Sequence, residues 1–379
     1  MDNLGLYIHI PFCVRKCGYC DFYSMEQSDG KKDRYLKALD GYIDSYAMQC
    51  VQRDVDTVYI GGGTPTCLDV SKLAKLIKSL QKKFRLTKNC EITVEANPGT
   101  VSLADLKKLK AAGMTRLSVG AQSAFDDELT GLTRIYKAST LFDTLKAAED
   151  AEIPEVSVDI MYGIPYQTVR SLLETISLLT RYKNVNHVSL YGLTIEEGTD
   201  FDRFKDILPL PDEDTERDMY FAAAERLEAL GYKQYEISNF AKPSHESRHN
   251  LKYWNCDEYI GLGPGAHSYF ANKRFSYKRD IDVFCADKES PDKEVLDEYM
   301  EIYPKHRIGE YVMLRFRLAE GINTDTFYNK FGVEFDSLYF DKLAPYVFQG
   351  YVVRQNGCYS LTREGMYISN RILSDILDL

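Results

Sequence analysis

Three cysteines, Cys13, Cys17 and Cys20, stand in a Cys-x3-Cys-x2-Cys spacing, while the other six of the chain's nine cysteines are scattered. A cluster of this kind in an otherwise thiol-scattered chain reads as metal ligation or redox work, not as a disulfide framework. A structural zinc ion takes four ligands, and the loop offers neither a histidine nor a fourth cysteine after Cys20. Three thiolates suit a [4Fe-4S] cluster with one iron left open. Further along, Glu95, Gln122, Arg134 and Asp159 fall at or just beyond the ends of successive apolar runs, which aims all four at one cavity. Acids and bases gathered in one cavity are a mark of functional sites.

Those residues need elements to hold them. β-Branched, apolar runs occupy 6–12, 57–63, 91–98, 116–123, 156–163 and 187–195, with room for a helix in every gap. One gap carries Ser102 as a cap, Asp105 completing a capping box, a Leu103, Leu106, Leu109 stripe and Gly113 as a stop; another opens at Thr168 in the same way. Strands alternating with helices predict an α/β fold, a partial (β/α) barrel of the TIM type. The cysteine loop then follows the first strand, at the C-terminal mouth where barrel enzymes keep their sites. A long helix over 211–231 and a possible seventh strand over 234–240 close this unit, giving a barrel domain over 1–235. A second domain over 236–379 is expected to be loop-rich from 241 to 295, with turns at Gly261, Gly263 and Gly265. From 296 to 379 a helical stretch, a hairpin and a last helix suggest a small α+β, winged-helix-like unit.

The 379 residues are 44% apolar and 27% charged, which excludes collagen-like and disordered classes. Lysine and arginine number 47 against 57 acids, a net charge of −10. That balance argues against an electrostatic grip on nucleic acid, so the winged-helix-like unit is expected to pack, not to bind DNA. No run is apolar and long enough for a membrane helix, and the N-terminus lacks a signal-peptide pattern, so a cytoplasmic location is expected.

YIHIPFCVRKCGYCDFYS closely resembles the cluster loop of the radical S-adenosylmethionine (SAM) superfamily. GGGTPT (61–66), VEANP (94–98), SVGAQS (118–123), VDIMYGIP (158–165), YEISNFAKP (235–243) and HNLKYW (249–254) resemble the anaerobic coproporphyrinogen oxidase family, and most of all its heme chaperone branch. In that superfamily the amino and carboxylate groups of SAM chelate the open iron, and an electron from the cluster breaks the sulfonium C–S bond. The resemblance implies that Cys13, Cys17 and Cys20 hold the cluster and that Tyr19 packs over it. It implies that Tyr7, Gly62, Gly63, Thr64 and Glu95 contact the cluster-bound SAM, with Gly61 beside them. Gln122, Arg134, Asp159 and Thr194 match positions that hold a second SAM in the oxidase.

Two departures separate the branches. The oxidase carries a further cysteine two places after the third ligand, where this chain has Phe22, and a long N-terminal segment, where twelve residues precede Cys13 here. HNLKYW is characteristic of the chaperone branch. That branch implies heme binding and delivery of heme to respiratory membrane proteins, without coproporphyrinogen turnover. His249 and His267 are the candidate heme ligands, Cys256 is a thiolate option, and Trp254 is a ring that would cover a porphyrin face. Tyr136 stands where the family pattern has histidine. Beside the chaperone reading stand a radical SAM oxidoreductase acting on porphyrinogens and, of another class, a zinc-stabilised binding module.

Overall fold

Residues 3–26, 29–286 and 294–377 are described by a computed structural model. Six strands, β1 (Leu4–Ile10), β2 (Asp54–Gly62), β3 (Arg85–Ala96), β4 (Arg116–Gln122), β5 (Glu155–Tyr162) and β6 (Val185–Gly192), pair in parallel in chain order. Their sequences alternate with period two. One set, including Leu6, Ile8, Val58, Ile60, Val94, Leu117, Val119, Val158, Ile160, Val188 and Leu190, is buried in an apolar core. The amphipathic helices α1 (Asp29–Gln49), α2 (Val70–Lys83), α3 (Leu103–Ala112), α4 (Ala138–Asp150), α5 (Val169–Leu179) and α6 (Glu213–Ala229) contribute Leu39, Leu73, Leu106, Leu141, Leu172 and Ala223 to that core. The other set is polar and turns inward, the reverse of barrels whose interiors are filled with branched aliphatic side chains. Local signals end the helices as expected. Ser102 and Asp105 close a reciprocal capping box on α3, Gly113 stops it at φ 116°, Thr168 caps α5 and Asp212 caps α6.

The 234–240 segment is not a seventh parallel strand. It splits into β7 (Lys233–Gln234) and β8 (Asn239–Ala241), and β8 runs antiparallel to β6. Glu236, 1% exposed, accepts hydrogen bonds from the Ser238 N–H and the Asn239 amide, which folds the chain into a tight turn between the two pieces. Nor is 241–295 mainly loop. It holds α7 (Arg248–Trp254), β9 (Tyr259–Leu262), β10 (His267–Phe270), β11 (Lys273–Tyr277) and a short helix over Ile281–Ala286, and β12 (Leu296–Glu301) follows it. Residues 287–293 of that stretch lie outside the described residues. β9 pairs in parallel with β1 and so supplies the seventh parallel strand. The whole sheet reads β12-β11-β10-β9-β1-β2-β3-β4-β5-β6-β8-β7.

The segment after 235 packs against the barrel. Phe240, Ile260, Leu262, Tyr277, Phe284 and Val295 lie in one core with the barrel strands, and Phe284 stacks on Tyr42 of α1 at 4.4 Å. A second core gathers residues from Tyr311 to Ile376, including Phe316, Phe327, Phe335, Leu343 and Ile372, around a small antiparallel sheet and helices. Backbone hydrogen bonds from Ile237 N–H to the Arg317 carbonyl (3.1 Å) and from Ala319 N–H to the Tyr235 carbonyl (2.9 Å) join the two units. Among the described residues no helix is long and apolar enough to cross a membrane.

Candidate functional site: the polar lumen of the barrel

The inward residues enclose a cavity of about 630 Å³. Cys13, Cys17 and Cys20 line its mouth with Tyr19. Gly62, Gly63, Thr64, Glu95, Gln122, Arg134, Asp159 and Thr194 line its wall, so all but one of the residues expected at a cofactor site face one space. The exception is Tyr7, whose hydroxyl pairs with His9 Nδ1 at 3.0 Å and whose ring lies 6.2 Å from Tyr59; it is not among the lining residues. Strand register explains the convergence. Glu95 is level with Ser118, Ser118 with Ser157 and Ser157 with His187, so one polar layer runs around four strands, and Asp159 faces Ser189 two residues further along.

The cysteine loop is pinned from two sides. Gly18 N–H donates to Thr133 Oγ1 at 2.8 Å, Phe201 N–H donates to the Gly18 carbonyl at 2.9 Å, and Tyr19 packs edge-on to Phe201 at 6.0 Å. Thr64 Oγ1, held by the Asn97 amide at 2.8 Å, lies 3.6 Å from Cys13 Sγ, and Arg134 Nη1 lies 3.2 Å from Cys17 Sγ. Burial raises the Cys13 and Cys20 thiols above their ordinary range, so their ionised forms need a positive partner. A cubane cluster takes each thiolate on a separate iron, and the three cysteines line one cavity with no histidine or fourth cysteine on their loop. The donor set therefore fits the cluster better than zinc.

Glu95 is the most constrained acid in the lumen. Tyr59 donates to its Oε1 at 2.7 Å and the Gly62 N–H donates to its Oε2 at 3.0 Å. A Cβ on Gly61 would lie 2.8 Å from the Glu95 carboxyl carbon, so that position admits glycine alone; Gly62 sits at φ 110°, which favours glycine on its own account. Burial, opposed by the Tyr59 hydrogen bond and reinforced by Asp159, pushes Glu95 up to about 7. Burial likewise pushes Asp159 up to about 6, against hydrogen bonds from Ser189 and Ser118 and the nearby Arg134 charge. Arg134 reaches the lumen because Gly120 leaves room for it: its Nη2 donates to the Gly120 carbonyl at 3.2 Å. Gln122 holds a left-handed φ of 59° at the end of β4, local strain of the kind stored at sites. Tyr136, the departure from histidine, donates to the carbonyls of Gly120 (2.7 Å) and Ala121 (3.1 Å), and its ring lies 5.3 Å from the Arg134 guanidinium.

The expected heme ligands are placed differently. His249 is not on a polar loop but on α7, which closes the barrel floor. It is 1% exposed, its Nδ1 pairs with Thr57 Oγ1 at 2.9 Å and its Nε2 pairs with Tyr253 Oη at 2.9 Å, leaving neither nitrogen for an iron. Trp254 has one face near Arg317, 5.4 Å away. Burial pushes the Cys256 thiol up to about 11, so it is not a thiolate at neutral pH. His267, on β10, is exposed and lies apart from the lumen. Tyr59, Asn97, Arg116, Ser118, Ser189 and Tyr191 also line the lumen and were not singled out from the sequence; the period-two polar positions within each apolar strand carried the signal.

The radical SAM superfamily model matches residues 7–179, and the HemN C-terminal domain model matches 302–368. The fold is shared with the coproporphyrinogen III oxidase HemN of Escherichia coli, at a TM-score of 0.86 and 22% identity over 99% of this chain and 90% of that one. Proteins named heme chaperone HemW are similar along the whole chain: that of Bacillus subtilis is 34% identical over 98% of both chains, and that of Escherichia coli 32% identical over 98% of both. The Haemophilus influenzae protein of the same name is 34% identical over 98% of this chain and 97% of its own. Identity at this level from end to end settles membership: the chain belongs to the HemW family of radical SAM proteins.

Proposed function

We propose that the protein is a heme chaperone that carries a [4Fe-4S] cluster and SAM in the barrel lumen and hands heme to respiratory membrane proteins. The observation that carries this reading is the lumen itself: three cysteines at its mouth facing a wall of buried, oriented polar groups, in a chain whose full-length relatives bear that name. Cys13, Cys17 and Cys20 would hold the cluster, with Tyr19 over it. Gly62, Gly63, Thr64 and Glu95 would receive the amino-acid end of a cluster-bound SAM, with Tyr7 acting from behind the wall. Gln122, Arg134, Asp159 and Thr194 would receive a second SAM. When bound, cluster and SAM supply one-electron reductive chemistry; the chain's own groups orient the cofactor and keep water out of the lumen. Glu95, fixed by Tyr59 and Gly62, presents an acceptor to the N–H groups of the SAM amino nitrogen. Arg134 supplies a fixed positive charge beside Cys17.

Heme falls to His267 in this reading, since its imidazole is exposed while both nitrogens of His249 are engaged. Phe22, 68% exposed on the cluster loop, stands where the oxidase resemblance implies a cysteine, which favours the chaperone over porphyrinogen chemistry. The test is anaerobic reconstitution of the full chain, followed by hemin titration and a coproporphyrinogen assay on one sample. The expected result is a Soret band for bound heme that shifts in His267→Ala, with no protoporphyrinogen formed. Turnover comparable with a true oxidase, or no hemin binding, overturns the proposal.

A further inference from the structure

The HNLKYW segment sits in neither family-model match, lying between residues 179 and 302, and the heme reading leaves it without a task. Its place in the fold gives it one. The helix α7 is fastened beneath the barrel at several strand starts. Ser247 caps it, Lys252 Nζ donates to the Asn3 carbonyl (2.9 Å) and pairs with Asp56 (2.8 Å), and Arg248 donates to the carbonyls of Asp56 (2.8 Å) and Asn89. From inside the barrel, Arg116 Nη2 donates to the carbonyls of His245 (3.1 Å) and Glu246 (3.2 Å) and pairs with Glu91 Oε2 (3.1 Å), whose Oε1 accepts the His249 N–H (3.1 Å).

What this helix delivers upward is one ring. The His249 imidazole lies stacked on Tyr59, centroids 5.3 Å apart at 29°. The imidazole has no rotational freedom, because Thr57 on one side and Tyr253 on the other hold its two nitrogens, and Tyr253 is wedged edge-on against Tyr259 at 4.6 Å. Tyr59 in turn donates to Glu95 Oε1 at 2.7 Å. A buried phenol that packs on a fixed ring has few rotamers left, so the hydroxyl, and with it the plane of the carboxylate, is set from the floor of the barrel.

We infer that His249 is a positioning residue for SAM: through the stacked Tyr59 ring it orients the Glu95 carboxylate that receives the N–H groups of the cofactor's amino nitrogen. The inference rests on the reading of Glu95 given above and goes beyond it by assigning the HNLKYW helix to SAM affinity. Burial pushes His249 down to about 3, so the imidazole stays neutral and the stack is insensitive to pH over the working range.

The experiment is a SAM titration of the cluster-loaded full chain, by calorimetry and by the change that SAM produces in the paramagnetic resonance of the reduced cluster. Iron content and thermal midpoint are checked in every variant. Glu95→Gln should weaken SAM at least tenfold; if it does not, the reading of Glu95 falls and takes the inference with it. With that arm positive, Tyr59→Phe and His249→Ala should each weaken SAM by roughly five- to tenfold, and the double variant should be no weaker than the worse single, as coupled neighbours in one relay require. His249→Gln, whose amide can keep both hydrogen bonds but offers no full ring, should fall between wild type and His249→Ala and serves if His249→Ala does not fold. Wild-type SAM affinity in the His249 variants, or losses that multiply in the double variant, overturns the inference. So does loss of the hemin Soret band in His249→Ala with SAM affinity intact, which would return this histidine to the heme.

Discussion

The two carboxylates of the lumen give the site a pH signature. Glu95 is held at about 7 by burial, with Asp159 adding to the push. The amino N–H groups of SAM prefer the ionised acceptor, so a proton must leave Glu95 before SAM binds well; apparent affinity is expected to rise as the pH climbs through 7. Titrations from pH 5.5 to 8 check this, and a flat profile would mean that Glu95 is not the amino group's partner. The thiols give a sharper contrast. Replacing Cys13, Cys17 and Cys20 by alanine should remove iron, sulfide and cluster absorption together. Cys67→Ala should remove none, because Cys67 lies outside the lumen lining and burial pushes its thiol up to about 11. Full iron content in the triple variant would refute the cluster assignment.

At the scale of elements, signals confined to a few neighbouring residues were readable and those that depend on distant pairing were not. The α3 capping box is an i, i+3 pattern, and it forms as read: Asp105 N–H donates to Ser102 Oγ at 3.2 Å and Asp105 Oδ2 accepts the Ser102 N–H at 3.0 Å. Ser102→Ala is expected to cost about 1 kcal/mol of stability, seen in denaturant melts, with SAM affinity unchanged because α3 packs on the outer face of the barrel. The six parallel strands were legible from their β-branched runs, and so were the cysteines that follow the first. The direction of the chain at 234–240 was not, since a buried Glu236 and its turn decide it. α7 was hidden for a different reason: seven residues are two turns, too few for a period, and SHESRHNLKYW has the composition of a loop. Only when Arg116, Glu91 and Asp56 are in place does that polarity read as fastening to the barrel floor. For the same reason His249 looked like a free ligand.

At the scale of the molecule, two cores meet through the segments 235–237 and 317–319, and the lumen belongs to the first of them. SAM at a hundred times its dissociation constant should stabilise the folded chain by about 2.7 kcal/mol. Hydrogen exchange followed by mass spectrometry should show added protection in β2 to β6 and α7, with little change in the 311–376 core; equal protection in both would show that the cores open as one unit. The inward polar layer has a further consequence, for selection and engineering. A barrel of this size could bury aliphatic side chains where it keeps Thr93, Ser118, Ser157 and Ser189, so stability and occupancy compete for the same volume. Thr93→Val or Ser157→Val should raise the melting temperature of the unloaded chain while weakening SAM, and a lower melting temperature would count against the trade. A library screened for heat resistance alone would then drift toward a sealed barrel, sturdier than its ancestor and unable to admit its cofactor.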